Sequence, residues 1–197
     1  LLVQQNPLSE AVERLRPLIE ADIHNPTIWQ AMAAAMKGSG DQASALNVLF
    51  KAHQHWPDDA TIKNQLGHLL IENNRPDEAI PVLESAISAR STTGSLIDLA
   101  TAYVMQQQHE SALRLLERAV QRTPASSQAW RGIAYCQLHL DNLPAAEDAA
   151  RKAMAFDSQH FRSWHILADV LVAEGKIQEA LPTIETGLAL VQKADNG

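Results

Sequence analysis

Apolar side chains along this chain recur at helical spacing, in two blocks for every 34 residues. The pattern is clearest near the C-terminus. There Trp164, Leu167, Ala168, Leu171 and Val172 fall at i, i+3, i+4, i+7 and i+8, the stripe that an amphipathic helix lays against a core. A polar break at Ala173-Glu174-Gly175-Lys176 follows, and Ala180, Leu181, Ile184 and Leu188 mark a second helix. Corresponding breaks stand at Lys37-Gly38-Ser39-Gly40-Asp41, Glu72-Asn73-Asn74-Arg75-Pro76, Gln106-Gln107-Gln108-His109 and Leu140-Asp141-Asn142-Leu143-Pro144. Asp41 and Asn142 suit the N-caps of the helices that follow, and Pro144 suits a first turn, where no backbone N–H is missed. Pro57 and Pro124 punctuate the links between helix pairs, where a helix must stop. Pro17, Pro81 and Pro182 lie inside predicted second helices; the last two are close enough to the start to be tolerated, and Pro17 is expected to bend its helix.

The two-helix unit repeats in register. Alanine recurs at Ala11, Ala45, Ala79, Ala112, Ala146 and Ala180, with gaps of 34 residues and one of 33. Seven residues further on a second column reads Leu18, Ala52, Ala86, Ala119, Ala153 and Gly187, and a third holds Trp29, Lys63, Leu96, Trp130 and Trp164. Three columns in phase make this an array of helix pairs rather than a plain helical bundle. The small residues predict close helix approach, Gly67 against Ala79 and Ala168 against Ala180 within a pair. The Ala52/Ala86/Ala119/Ala153 column would do the same between pairs, where a large residue would force the axes apart.

Composition narrows the function classes. Acidic residues outnumber basic ones, 23 to 16, for a net charge of −7, and with no Lys/Arg block this argues against a nucleic-acid partner. One cysteine excludes an intramolecular disulfide and a zinc site built on several thiolates. No run of 18 apolar residues is present, so no direct membrane insertion is expected. Leu1-Leu2-Val3 at one end and Ala194-Asp195-Asn196-Gly197 at the other read as the cut edges of a longer protein, which leaves localisation open.

The residues resemble the tetratricopeptide repeat (TPR) family. The likeness rests on Trp130…Ile133-Ala134…Ala146…Ala153, on Trp164…Leu167-Ala168…Gly175…Ala180…Gly187, and on Leu66-Gly67…Ala79…Ala86 with Asp77-Glu78-Ala79-Ile80-Pro81-Val82-Leu83. It implies a single domain over 1–197: a partial repeat at 1–25, repeats at 26–59, 60–92, 93–126, 127–160 and 161–192, and a tail at 193–197. The expected fold is all-α, a right-handed solenoid of antiparallel helix pairs, with first helices lining a concave groove. Lys63 and Leu96 in the tryptophan column, the short repeat near Ser91-Thr92-Thr93, and Gly187 depart from the family pattern.

Taking the face opposite each core stripe as the groove gives Thr27, Gln30, Ala34 and Lys37, then Thr61, Asn64, His68 and Glu72, then Ile97, Asp98, Thr101 and Met105. The last two helices contribute Gln128, Arg131, Tyr135 and His139, then Arg162, His165, Asp169 and Ala173. From these the candidate peptide-binding residues are Asn64, His68, Asp98, Thr101, Arg131, Tyr135, Arg162, His165 and Asp169. Tyr135 is the expected anchor, an aromatic giving contact area at low entropic cost. Arg131, Arg162 and His165 read either as a cationic corner for a carboxylate or as charges neutralised by Asp98 and Asp169. The family's chaperone-tail clamp wants Lys and Asn where this chain has Gln30, Ala34, Gln65, Gln128 and Gly132, so that partner is not expected.

No catalytic, cofactor or metal site is expected. His53 and His55 at i, i+2 face different ways, Cys136 and His139 lack a second ligand pair, and Cys136 reads as a core residue. His24, His109 and His160 lie near loops and call for no function. Glu110/Arg114 and Glu147/Arg151 read as surface i, i+4 pairs worth a few tenths of a kcal/mol, ~0.2–0.5 each. The expected function is a non-catalytic adaptor holding a partner's peptide or helix. Two alternatives remain: the recruiting arm of a larger enzyme such as a transferase or hydroxylase, and self-assembly through a last helix that leaves Leu181, Ile184, Leu188, Leu190 and Val191 uncovered.

Overall fold

The computed structural model describes residues 7–20 and 25–195. The first helix of the partial repeat, His24 and the last two residues of the tail lie outside them. The described residues form eleven helices and no strand. They fall into two compact units, Leu1–Ser91 and Thr92–Gly197. The first holds α1 (Pro7–Glu20), α2 (Pro26–Gly38), α3 (Gln42–His55), α4 (Ala60–Glu72) and α5 (Pro76–Ala89). Each of these packs on the next, and α2 also touches α4. The second holds α6 (Thr93–Met105), α7 (His109–Arg122), α8 (Ser127–His139), α9 (Leu143–Phe156), α10 (Phe161–Ala173) and α11 (Ile177–Asp195). Here too successive helices pack together, with α6 on α8 and α8 on α10.

Within each pair the first helix ends in the same way. Gly40, Asn74, Gln107, Asp141 and Gly175 all take positive φ, between 57° and 89°. The N–H of each reaches back three residues, and the N–H after it five, over 2.8–3.1 Å. This is the Schellman arrangement, which satisfies the helix's last carbonyls and reverses the chain. First helices also start alike. Asn25, Asp59, Thr92, Ser126 and His160 accept a hydrogen bond from a first-turn N–H at 2.8–3.3 Å. Among second helices Asp41 caps α3 through Ser44. Asn142 is the N-cap of α9, as expected, although its side chain makes no cap bond. Helix α1 runs on through Pro17, as α5 and α11 do through Pro81 and Pro182.

The alanine columns form the core. Ala45, Ala79, Ala112, Ala146 and Ala180 are buried, as are Ala52, Ala86, Ala119 and Ala153. Leu18, in the second column by spacing, is exposed, and Val172, expected in the core stripe of α10, is 49% exposed. A Cβ on Gly67 would overlap the Leu83 side chain, and one on Gly132 would stand 2.9 Å from Leu116. The absent side chains are therefore what allow α4 onto α5 and α7 onto α8. In the third column the indole N–H of Trp130 donates to the Pro124 carbonyl at 2.8 Å, and that of Trp164 to Ser158 at 2.7 Å. Each tryptophan thereby pins the loop before its own helix. Lys63 is buried in the same column and donates to Ser85 on α5 at 2.8 Å, so its ammonium replaces the indole as the polar tip.

Ion pairs add cross-links between pairs. Lys37 on α2 meets Glu72 on α4 at 2.8 Å. Glu147 on α9 takes both Arg151 and, at 2.7 Å, Lys176 from the turn before α11. These hydrogen bonds hold its carboxyl down at about 2. Glu147/Arg151 is thus more than a local pair, and Arg114 turns to Ser111 rather than to Glu110.

Candidate functional site

The first-of-pair helices carry the candidate residues because their core stripes commit the opposite face to solvent. On α8 the stripe Ile133, Ala134 and Cys136 is buried, which leaves Arg131 half-buried and Tyr135 39% exposed. On α10 Ser163, Ile166, Leu167 and Val170 are buried, and Arg162, His165 and Asp169 are exposed. Five candidates come together: Arg131, Tyr135, Arg162, His165 and Asp169 line one cavity of about 470 Å³, with Phe161 and Ile166.

Electrostatics of that cavity are set by two guanidiniums. Nη1 of Arg131 donates to Ser127 at 3.1 Å and to the buried Ser163 hydroxyl at 3.4 Å. Burial lowers the Arg131 pKa, Asp157 opposes that shift, and the neighbouring Arg162 charge adds to it. His160, whose Nδ1 caps α10 by accepting from the Arg162 N–H, is lowered in turn by burial and by both arginines. A neutral imidazole is what the cap requires, since a protonated Nδ1 cannot accept. Asp169 pairs with His165 at 3.2 Å.

Beside the cavity Tyr135 belongs to an aromatic trio. The His109 ring lies flat against His139, centroids 4.7 Å apart, and Tyr135 stands 4.3 Å from His139 and 6.0 Å from His109. Burial and the facing His139 lower the His109 pKa, while Glu110 opposes this. Two of the histidines read as functionless thus have structural roles, His109 in the stack and His160 as a cap. Cys136 is buried, and burial pushes its thiol up to about 12. No group of three or more His, Cys, Asp or Glu among the described residues could hold a metal ion. No helix among them is long and apolar enough to cross a membrane.

The other candidates are not among the residues that line this cavity. His68 is exposed on α4, 3.2 Å from Glu72, and lines a smaller cavity of about 190 Å³ with Gln30, Lys37 and Gln65. Asn64 is half-buried, and its Oδ1 is buried without a hydrogen-bond partner. Asp98 is half-buried on α6, and the Thr101 hydroxyl donates to the Ile97 carbonyl at 2.9 Å. Ile97 itself, placed in the groove by spacing, is buried.

The sequence reading missed Phe161. The signal was available: Phe161 follows Pro26, Ala60, Thr93 and Ser127 at the same place in the repeat, and only there is the side chain large. Phe161 and Tyr135 flank the cavity as exposed rings.

Residues 28–190 match the family described as the Cilia and flagella-associated protein 70 C-terminal domain, a TPR family. The chain belongs to it. Its fold is accordingly the TPR solenoid of antiparallel helix pairs. Similar curated proteins include tetratricopeptide repeat protein 7B of Mus musculus, 25% identical over 94% of this chain and 24% of that protein. Another is the tetratricopeptide repeat-containing protein trd-1 of Caenorhabditis elegans, 19% identical over 82% of this chain and 20% of that one. The chain thus spans between a fifth and a quarter of these relatives. Among solved structures, MamA of Desulfovibrio magneticus RS-1 aligns with a TM-score of 0.74 at 18% identity, over 86% of this chain and 97% of that one. YrrB, described as a TPR protein with an unusual peptide-binding site, aligns at 0.70 and 19% identity, over 91% and 93%. Both share the fold. TPR membership carries the general role of a scaffold for protein–protein interaction.

Proposed function

We propose that this TPR chain is a non-catalytic adaptor that holds a peptide or helix of a partner protein on the exposed faces of its first-of-pair helices. The observation that carries this reading is the convergence of Arg131, Tyr135, Arg162, His165 and Asp169 on one cavity between α8 and α10. It offers exposed rings, charge and hydrogen-bonding groups together, the mixture that recognition surfaces use. Asn64 and His68 in the first unit, and Asp98 and Thr101 in the second, are proposed as further contacts. The peptide site ascribed to YrrB, which shares this fold, is in keeping with the proposal. Because the relatives are about four times longer, the adaptor is proposed as the recruiting arm of a larger protein.

A photo-cross-linking side chain at position 135 tests the reading against one at Glu117, exposed on α7. A co-purified partner should cross-link at 135 and spare 117. The opposite pattern removes the cavity from the function.

A second reading has its own observation. Leu181 and Leu188 are each 56% exposed on α11. Beside them Phe161, Val172, Ile184, Leu188 and Val191 line an apolar cavity of about 240 Å³. We propose a second copy of the chain as its occupant.

A further inference from the structure

The cavity between α8 and α10 is lined by two arginines that make no direct ion pair, although Asp157 acts on Arg131 from further off. Neither Arg131 nor Arg162 has a carboxylate within ion-pair distance among the described residues. Several other cations do: Arg75 with Glu78, Arg151 with Glu147, Lys152 with Asp148 and Lys176 with Glu147. The two guanidiniums are close enough for each other's charge to be felt, and burial of Arg131 takes away the water that would screen it. In a chain of net charge −7, two like charges held together at the wall of a cavity cost stability, and an anion between them relieves the cost.

The donors are available and the walls suit a chain. Arg131 uses only its Nη1 within the protein, toward Ser127 and Ser163, whereas a guanidinium carries five N–H donors in a fork that matches a carboxylate. Arg162 is exposed and its guanidinium lies 5.8 Å from the Phe161 ring centre. Phe161 is 42% exposed and Tyr135 39%, so apolar side chains can lie beside the charges. The acidic groups facing this corner are Asp157, which acts on Arg131 and His160, and Asp169, whose carboxylate lies 3.2 Å from His165 Nδ1.

On the reading that this cavity binds peptide, we propose that its ligand is an acidic, extended segment, with two Asp or Glu side chains two residues apart taken one each by Arg131 and Arg162, and an apolar side chain against Phe161 and Tyr135. The two-residue spacing follows from geometry. The forks project from successive first helices, which pack about 8–10 Å apart. Alternate side chains of an extended chain point to one face about 6.6 Å apart, a difference that two long arginine side chains take up. A terminal carboxylate by itself fills one fork and leaves the second empty, so at least one acidic side chain is required, and a pair of internal ones fills both forks.

A display library of randomised octapeptides, joined at both ends so that no free terminus is presented, tests this with the full chain. Enrichment of peptides with Asp or Glu at i and i+2 and a neighbouring apolar residue is expected. A synthetic, acetylated and amidated version of the enriched sequence should bind at least about tenfold more weakly to Arg162→Gln and to Arg131→Gln. Asn or Gln in place of either peptide acid should do the same with the protein unchanged, which keeps the test valid if Arg131→Gln fails to fold. Arg162→Gln should melt no lower than the parent, because it removes a like-charge contact. Enrichment of neutral peptides that still require Tyr135 overturns the acidic-ligand proposal and leaves the peptide site standing. Binding that requires a free terminal carboxylate overturns it as well, and an absence of any enrichment overturns both.

Discussion

A single backbone conformation recurs at five positions filled by four residue types, Gly40, Asn74, Gln107, Asp141 and Gly175. Glycine enters the left-handed region at little cost, Asn and Asp tolerate it, and a long side chain such as Gln pays about 1–2 kcal/mol there. The turn after α6 is therefore the strained one. Gln107→Gly should stabilise the protein by about 1 kcal/mol, a rise of roughly 2–4 °C in Tm. Gly175→Ala should lower Tm, although a Cβ there meets nothing within 4 Å, because its cost is conformational alone. Differential scanning calorimetry of the two variants decides it; a fall for Gln107→Gly would show that its side chain makes up for the strain. This column was invisible by residue identity, as was the N-cap column Asn25, Asp59, Thr92, Ser126 and His160. Each is held constant by a hydrogen-bonding geometry that several side chains can satisfy.

Spacing along a helix showed which face is buried on α8 and, apart from Val172, on α10. It failed at Ile97 because the buried arc of α6 is wider than one stripe and takes in Leu96, Ile97, Leu99, Ala100 and Ala102. It also understated Glu147, whose partner Lys176 lies 29 residues away. The Glu147 carboxyl sits at about 2 in the folded protein against an ordinary 4.5. Its contribution is therefore complete above about pH 4.5 and is lost as the pH falls toward 2. In Glu147→Gln the decline of stability across that window should be shallower than in the parent. Urea unfolding at stepped pH from 5 to 2.5 measures it, and parallel curves would show that the tie between α9 and the α11 turn carries no stability.

At the scale of the whole molecule the uncovered apolar side of α11 bears on assembly. If a second copy fills it, light scattering should show a mass above the 21.6 kDa of one chain that rises with concentration. Leu188→Glu should hold the mass at one chain, since a charge there cannot be buried unpaired. A monomer at every concentration removes the self-assembly reading while leaving the cavity between α8 and α10 untouched.

The sequence by itself determined the helix pairs, their 34-residue phase and the all-α solenoid class. These follow from local periodicity and from small residues repeated in register, and both are properties of order along the chain. It also named every polar residue that lines the α8–α10 cavity. Tertiary structure alone decided that five of the nine candidates converge there while Asn64, His68, Asp98 and Thr101 do not line it. It also decided that Arg131 and Arg162 share a cavity wall without a carboxylate partner, with Asp169 turned to His165. Spacing reports which side of a helix faces out, whereas the partner of a side chain depends on the rotation and separation of neighbouring helices. Those are set by packing, through contacts such as Leu83 on Gly67 and Leu116 on Gly132.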